Sequence, residues 1–226
     1  MTTPYLSLEQ LLHFLAEPQR TACGRLLEDN RERFLGAPGS SHNHQAWPGG
    51  YGDHVTETMN LAIVLYGRLG GLRPLPFTLA DALVVLFLHD LEKPWRYERD
   101  PATGGWKRAK GQPKATTRKV TVEQGNLAIE KPWRLRSQES AATPVKGKQD
   151  RHAFREAKMA EYDITLTSEQ ANALKYVEGE NDDYSARRRV MGPLAAFCHL
   201  CDLTSARLWF DRPLVAGETW GPGRRT

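Results

Sequence analysis

Six stretches of the chain have the spacing of apolar and polar residues that is typical of α-helices. They are SLEQLLHFLAE, HVTETMNLAIVLYGRL, TLADALVVLFLHD, HAFREAKMAEY, TSEQANALKYVEG and PLAAFCHLCDLTSARLWF. Three of them begin with the residue pair of a capping box, and these pairs are Ser7 with Gln10, Thr78 with Asp81 and Thr167 with Gln170. Gly192 and Pro193 suit the cap and the first position of the last helix. The pattern predicts an all-α fold with the apolar TLADALVVLFLHD helix at its centre.

Two stretches between these helices lack helical periodicity. GAPGSSHNHQAWPGGYGD, residues 36–53, is rich in Gly, Pro and Ser and predicts a loop that ends just before His54. Residues 97–151 predict a long insertion, partly irregular or folded as a β-hairpin, with KVTV as its short strand-like piece. We expect residues 1–210 to form a single domain around this insertion. Residues 211–226, rich in Gly, Pro and Arg, predict a loose tail.

The predicted insertion carries the basic charge of the protein. Residues 101–151 hold twelve Lys or Arg against four Asp or Glu, although the net charge of the whole chain is only +4. Trp106 and Trp133 lie among these basic residues, a combination that can follow a nucleic-acid backbone and stack on bases. A solvated basic loop has the same composition, so both interpretations stay open.

The composition indicates the cellular compartment of the protein and the chemical role of its cysteines. No run of 18 or more apolar residues occurs, and MTTPYLSLEQ lacks the basic and apolar blocks of a signal peptide. We therefore expect a soluble, cytoplasmic protein without membrane contact. The 3 cysteines are too few and too unevenly spaced for a disulfide framework. Cys198 and Cys201 form a C-x-x-C pair inside an apolar helix, which favours a structural role over zinc or redox chemistry.

Several polar residues lie where an apolar helical bundle would otherwise exclude them. His89 and Asp90 end the buried third helix, where an imidazole nitrogen and a carboxylate oxygen can reach one divalent cation. For an isolated His-Asp dipeptide, the ordinary interpretation is a hydrogen-bonded pair without metal. His54 lies on the preceding helix, and Asp202 lies inside the last one, where an unpaired carboxylate is costly unless it meets a cation. Lys93 follows Asp90 by three residues.

This pattern resembles that of the HD-domain metal-dependent phosphohydrolases, which carry H…HD…D on a helical bundle. HDLEK is similar to the family's HD-x-x-K, with Glu92 where a Gly or Ala is usual. HQAWPGGYGDH is similar to the HHAYPGGLLEH-type segment of the branch that includes exoribonucleases and conjugation relaxases, with Gln45 in place of the second His. The resemblance covers roughly residues 42–96 and 165–210, and it leaves out the basic insertion.

The resemblance implies a metal site, a fold and an activity. The implied ligands of one divalent ion, whether Mn, Mg, Co, Ni, Zn or Fe, are His54, His89, Asp90 and Asp202. The fold would be an HD-domain helical bundle. The reaction would be hydrolysis of a phosphate ester or anhydride of a nucleotide or nucleic acid. Asp90 would also orient the nucleophile, and Lys93 would face the phosphate.

Two further residues are candidate substrate contacts. His44 lies in the loop before the helix of His54, where it either touches the substrate or is an ordinary surface histidine. Arg96 can offset charge on the phosphoryl oxygens. The letters EKPWR that include Arg96 recur at residues 130–134, but no His or Asp precedes the second copy. We expect at most a basic surface there.

Several alternatives stay open at the level of sequence. Glu178 or Glu180 could complete a second metal site. His199 is expected to contact a backbone carbonyl rather than a metal. The protein could also be a catalytically degenerate HD module that binds a nucleotide, a nucleic acid or a protein partner, and Glu92 and Gln45 support that interpretation. A di-iron oxygenase of the HD type is a third alternative, which the scarcity of histidines disfavours.

Overall fold

The computed structural model describes residues 4–40, 44–109 and 146–210, and in these ranges the protein is mostly α-helical. The helices are α1 (Leu8–Leu12), α2 (Gln19–Asp29), α3 (Arg31–Gly36), α4 (Gly50–Leu72), α5 (Leu79–Leu88), α6 (Lys146–Glu161), α7 (Ser168–Tyr176) and α8 (Pro193–Leu208). Two short antiparallel strands are β1 (Tyr97–Arg99) and β2 (Trp106–Arg108), and short 3-10 helices span Lys93–Arg96 and Asn181–Asp183. The mostly helical fold agrees with the all-α expectation and is compatible with an HD-domain bundle.

Local sequence explains where several helices begin. The three predicted capping boxes are present at the starts of α1, α5 and α7. Gly192 caps α8 and Pro193 occupies its first position, as predicted. The amide of Gln170 also donates from Nε2 to Oδ1 of Asp81 at 2.8 Å. This hydrogen bond joins two of the capping boxes and so ties the start of α7 to the start of α5.

Helix α5 lies at the centre of the core. Residues 82–88 are all buried, because this helix packs against α4, α7 and α8. Phe87 stacks on Phe34 of α3 with ring centroids 5.5 Å apart, and Tyr51 of α4 meets Phe34 edge-on at 5.3 Å. Removing a buried aromatic ring from such a core costs about 3–5 kcal/mol. The packing of α5 therefore fixes where its C-terminal end lies.

Helix α4 begins earlier than the sequence predicts. It starts at Gly50, so the loop expected over residues 36–53 is wrong for its last four residues, as it is for Gly36, which ends α3, and His54 lies inside the helix. The preceding loop lies close to this helix start, since a Cβ atom at Gly50 would lie 2.0 Å from the backbone oxygen of Gln45, so only glycine fits there. Gly49 caps the helix with a φ of 84°, a conformation that glycine adopts at low cost.

The structure also corrects the extent of the basic insertion. Helix α6 begins at Lys146, so residues 146–151 are helical rather than irregular. Strands β1 and β2 form a β-hairpin at the start of the insertion, at residues where the sequence pattern indicates no strand. The KVTV stretch at 119–122, the second EKPWR at 130–134 and the tail at 211–226 lie outside the described residues.

Helices α2 and α3 are not evident from the hydrophobic pattern. Their sequences, QRTACGRLLED and RERFLG, are largely polar, yet Cys23, Leu26 and Phe34 are completely buried. The longest helix, α4, has 23 residues, of which the last turns are mostly exposed. Within the described ranges, no helix has the length and apolar character needed to cross a membrane.

Candidate metal centre

His54 lies on the inner face of α4 and is completely buried. Its Nδ1 is 3.0 Å from Oγ of Ser205, and its Nε2 is 3.1 Å from Oδ1 of Asp202. Both partners belong to α8, where a spacing of three residues places them on the same face. Helix α8 therefore holds the imidazole of His54 at both of its nitrogens.

His89 caps the C-terminal end of α5 and is also buried. Its Nδ1 is 2.7 Å from the backbone oxygen of Leu86, which can only accept a hydrogen bond. Nδ1 must therefore carry a proton, and Nε2 is the nitrogen left for other contacts. The backbone oxygen of His89 in turn accepts from Nη1 of Arg155, on α6, at 2.5 Å.

Two ring nitrogens and one carboxylate oxygen converge between α4, α5 and α8. Nε2 of His54 and Nε2 of His89 are 3.1 Å apart, and Oδ1 of Asp202 is 3.1 and 3.6 Å from them. All three atoms lie within 4.8 Å of one another. Because such ligands bind zinc at about 2.0–2.2 Å, atoms with these separations can share one ion. The group of His54, His89 and Asp202 is therefore a candidate metal site.

Asp90 lies beside these three atoms. Its Oδ2 is 3.2 Å from Nε2 of His89 and 3.5 Å from Nε2 of His54. The same oxygen contacts Nζ of Lys93, one turn along the chain. Asp90 therefore borders the site, and its role as a fourth ligand stays a prediction.

The carboxylates determine the charge of the cluster. Burial lowers the pKa of His89, but Asp90 and Asp202 outweigh burial and raise it to about 10. Burial raises the pKa of Asp90, yet Lys93 and His89 hold it well below its usual range. The pKa of Asp202 is likewise lowered, against the effect of burial, by hydrogen bonds from His54 and His89. Two ionised carboxylates thus favour a positive charge beside the imidazoles, which either a proton or a metal cation can supply.

His44 lies at the edge of the cluster and is half-buried. Its ring centroid is 5.0 Å from that of His54, and its Nδ1 is 2.5 Å from Oε1 of Gln45. Burial, followed by the charge of Lys93, lowers the pKa of His44 to about 3, so the ring is neutral at physiological pH. The structure thus places His44 next to the candidate metal site, and a contact with substrate stays a prediction.

The two cations predicted to face phosphate are both paired within the protein. Lys93 contacts Asp90, and Nη2 of Arg96 is 2.5 Å from Oε1 of Glu92. Glu92 is buried, and its Oε2 has no hydrogen-bond partner among the described residues. Burial, followed by the charge of Asp90, raises the pKa of Glu92. Lys93 has three N–H donors and Arg96 has five, so each pairing offsets positive charge without using every donor of the side chain.

Three residues without a predicted role surround the far side of His54. Oγ of Ser205 donates to Oε2 of Glu57 at 2.6 Å. Nε2 of Gln45 is 3.3 Å from both Oγ and the backbone oxygen of Ser205. Glu57 follows His54 by three residues, as Ser205 follows Asp202. This helical spacing from a predicted ligand is the sequence signal that could have indicated both residues.

Other candidates from the sequence have partners away from the cluster. Nδ1 of His199 donates to the backbone oxygen of Val177 at 2.7 Å, which confirms the expected carbonyl contact. Glu180 accepts from a backbone N–H of the segment before α8 at 3.2 Å. Glu178 pairs with Arg151 at 3.8 Å. These contacts give no support to a second metal site at either glutamate.

The cysteines agree with a structural role. All three are free and buried. Burial raises the pKa of Cys23 to about 12, and it also raises the pKa values of Cys198 and Cys201. Thiols that stay protonated are poor metal ligands and poor nucleophiles.

Comparisons of the chain with protein-family models, with curated proteins and with solved structures found no match. A mostly helical fold does not define a reaction by itself. The function must therefore be inferred from the chemistry of the site residues.

Proposed function

We propose that this protein is a metal-dependent phosphohydrolase that acts on a phosphate ester or anhydride of a nucleotide or nucleic acid. The observation that carries the proposal is the convergence of two buried imidazole nitrogens and a carboxylate oxygen at one point. Three protein ligands of this kind are typical of catalytic metal sites. The order His, His-Asp, Asp along the sequence supports the same assignment.

The donor set fits one divalent cation. Nδ1 of His54 is hydrogen-bonded to Oγ of Ser205, and Nδ1 of His89 is hydrogen-bonded to the backbone oxygen of Leu86. Nε2 of each ring is therefore left for the ion. Imidazole ligands suit Fe, Ni and Zn, and carboxylates extend the range to Mn and Mg. When bound, such a cation polarises a phosphoryl oxygen and lowers the pKa of water.

Asp90 and Lys93 would change partners when a substrate binds. Asp90 would turn its carboxylate to the cation, and Lys93 would turn its ammonium to the phosphate. Every charge would keep a partner of opposite sign during this exchange, so it avoids leaving an uncompensated buried charge. Lys93 would then offset the negative charge that develops on the phosphoryl oxygens. Arg96 could add to this effect if it left Glu92.

A metal-binding module without hydrolytic activity is the second candidate. It is favoured by the pairing of Lys93 with Asp90 and of Arg96 with Glu92, which neutralises both cations predicted to face phosphate. In such a module, these pairs would persist when the metal binds. The di-iron oxygenase has less support, because the described residues contain one cluster of three ligands.

The test is an activity screen with defined metals. Protein loaded with Mn, Mg, Co or Ni is incubated with nucleotides, cyclic nucleotides and short oligonucleotides. We expect hydrolysis that requires the metal and is lost in His89→Gln and Asp90→Ala. His199→Gln is the matched control, because this histidine contacts a backbone oxygen instead of the cluster. Activity that survives His89→Gln would contradict the proposal, whereas metal binding without any hydrolysis would favour the second candidate.

Salt dependence separates the two substrate classes. A protein that follows a nucleic-acid backbone loses affinity steeply as salt rises, because binding releases counterions. Oligonucleotide hydrolysis that falls with salt, beside salt-independent hydrolysis of mononucleotides, would identify a nuclease. Absence of oligonucleotide cleavage at every salt concentration would exclude a nuclease and leave the small nucleotides.

A further inference from the structure

A layer of buried polar residues joins the two histidines His44 and His54. Its members, which we call the support network, are Gln45, Ser205 and Glu57, with exposed fractions of 1%, 0% and 7%. They come from the loop before α4, from α8 and from α4. Buried donors need acceptors and buried acceptors need donors, so the contacts of this network determine where its protons lie.

The Gln45 amide is oriented by a backbone oxygen. The amide lies 3.3 Å from the backbone oxygen of Ser205, which can only accept, so Nε2 must be the atom that faces it. Oε1 then faces His44, whose Nδ1 is 2.5 Å away and must donate. A proton of the His44 ring is thereby placed on Nδ1, and Nε2 is the nitrogen left for a further partner.

The Ser205 hydroxyl has one proton for three polar neighbours. Oγ is 2.6 Å from a carboxylate oxygen of Glu57, which accepts, so the hydroxyl proton points there. The hydroxyl oxygen can then only accept, from Nε2 of Gln45 at 3.3 Å and from Nδ1 of His54 at 3.0 Å. His54 therefore also carries a proton on Nδ1, and its Nε2, 3.1 Å from Oδ1 of Asp202, is the nitrogen that faces the candidate metal site.

We infer that the support network positions His44 and His54 as their Nδ1–H tautomers. Nε2 of His54 is thereby directed to a divalent cation, and Nε2 of His44 is the ring nitrogen left for a substrate or water beside it. The consequence for catalysis rests on the proposed function, whereas the Nδ1 protons are held by hydrogen bonds that need no metal. Partners that orient a ligating histidine in this way typically contribute a factor of about 10–100 in metal affinity.

The same assignment restricts what His44 can contact. With Nδ1 donating to Gln45, Nε2 is the ring nitrogen left for a substrate or water. Where Nε2 accepts, its partner must be a hydrogen-bond donor, such as a substrate hydroxyl, a nucleobase N–H or the attacking water. In the proposed reaction, His44 thus orients such a donor, while Lys93 meets the phosphoryl oxygens.

Matched variants isolate the network from general effects on the core. Ser205→Ala removes the hydroxyl that accepts from His54, and Ser205→Thr retains it. Thr58→Ala is the control, because Thr58 is as buried as Ser205 and its hydroxyl donates to the backbone oxygen of Val55 at 2.9 Å. Gln45→Met removes the amide that accepts from His44 and keeps an unbranched side chain.

Long-range proton–nitrogen correlation spectra of metal-free protein distinguish the two tautomers of each imidazole. His199 is the internal reference, since its Nδ1 donates to a backbone oxygen in every variant. We expect Nδ1–H for His44 and His54 in the wild type, in Thr58→Ala and in Ser205→Thr. Ser205→Ala should admit the Nε2–H form of His54 and weaken Zn2+ binding about 10–100-fold. Gln45→Met should admit the Nε2–H form of His44.

The outcomes separate the support network from the proposed function. If the predicted tautomers are observed but Zn2+ does not bind, the metal site is contradicted and the support network is still supported. Zn2+ binding without a proton on Nδ1 of His54 in the wild type, or with no change in Ser205→Ala, would overturn the network. If Ser205→Ala does not fold, Glu57→Met tests the same point. It removes the acceptor of the Ser205 hydroxyl proton, so that this proton can turn to His54 and admit its second tautomer. Unchanged spectra in Glu57→Met would overturn the inference.

Discussion

The two ends of helix α5 use polar residues in opposite ways. At the N-terminal end, Asp81 accepts from the backbone and hydroxyl of Thr78 and from the amide of Gln170. At the C-terminal end, the Nε2 atoms of His89 and His54 face each other at 3.1 Å, with carboxylates beside them. The polar groups at the N-terminal end find their hydrogen-bond partners within the protein. Those of the second end need a positive charge between them.

This difference separates a stabilising role from the proposed metal-binding role within one helix. Polar groups that satisfy one another contribute to the free energy of unfolding and offer nothing to a ligand. Two imidazole nitrogens and two carboxylates around one point are favourable only with a proton or a metal cation among them. We therefore expect changes at the N-terminal end to affect stability alone, and changes at the C-terminal end to affect metal binding first.

The largest effect on metal affinity is expected from a substitution at the C-terminal end of α5. His89→Gln removes one of the converging nitrogens, so Zn2+ or Mn2+ affinity should fall by more than the factor of about 100 expected for a supporting residue. Isothermal titration calorimetry measures this loss directly. His199→Gln should bind the metal like the wild type, and equal affinity in both variants would show that the cluster is not the site.

Metal addition should stabilise the protein through the same end of α5. At a free metal concentration of a hundred times Kd, mass action predicts an increase of about 2.7 kcal/mol in the free energy of unfolding. Thermal unfolding with and without Mn2+ or Zn2+ tests this increase. It should be absent in Asp202→Asn and preserved in Asp81→Ala, and an equal increase in Asp202→Asn would contradict the ligand assignment.

A smaller effect, on stability alone, is expected at the N-terminal end. Asp81→Ala removes the acceptor of the α5 capping box and the link to Gln170, which should cost about 1–2 kcal/mol of unfolding free energy. Urea unfolding gives this value, with Glu98→Ala as a control for the loss of an acidic side chain outside any capping box. Metal affinity should not change in Asp81→Ala, and a weakened affinity would mean that the two ends are coupled.

The smallest expected effect is a change in the stability contribution of Asp81 at acid pH. Burial raises the pKa of Asp81, but hydrogen bonds from Thr78 and Gln170 outweigh it and keep the pKa below its usual value. Because the folded pKa is the lower one, the contribution of Asp81 is fully present above the unfolded value of about 4 and is lost as pH falls through the folded pKa. The stability difference between wild type and Asp81→Asn should therefore shrink below about pH 4. A difference that grows in acid would reverse the assigned direction of the shift.

Helix starts were the most predictable part of the fold. Capping depends on residues three positions apart, so Ser7, Thr78 and Thr167 could be identified from the chain alone. The start of α4 could not, because it depends on the contact between Gly50 and the backbone of Gln45 in a folded loop. Helices α2 and α3 were missed because their buried residues are few and widely spaced among polar ones.

Only part of the candidate site could be predicted from the sequence. The sequence pattern predicted His54, His89 and Asp202, and the structure brings their ligand atoms together. It could not predict the contact of Ser205 with Glu57, because these residues are 148 positions apart and meet only through the packing of α4 on α8. Ordinary polar residues of this kind become recognisable when their hydrogen-bond partners are known.

The most direct test of the central claim is anomalous X-ray diffraction from crystals of the wild-type protein grown with Mn2+ or Zn2+. We predict an anomalous peak about 2.0–2.2 Å from Nε2 of His54, from Nε2 of His89 and from a carboxylate oxygen of Asp202. A crystal with the metal bound elsewhere, or with these side chains in place and no peak between them, would contradict the claim that this end of α5 is a metal centre.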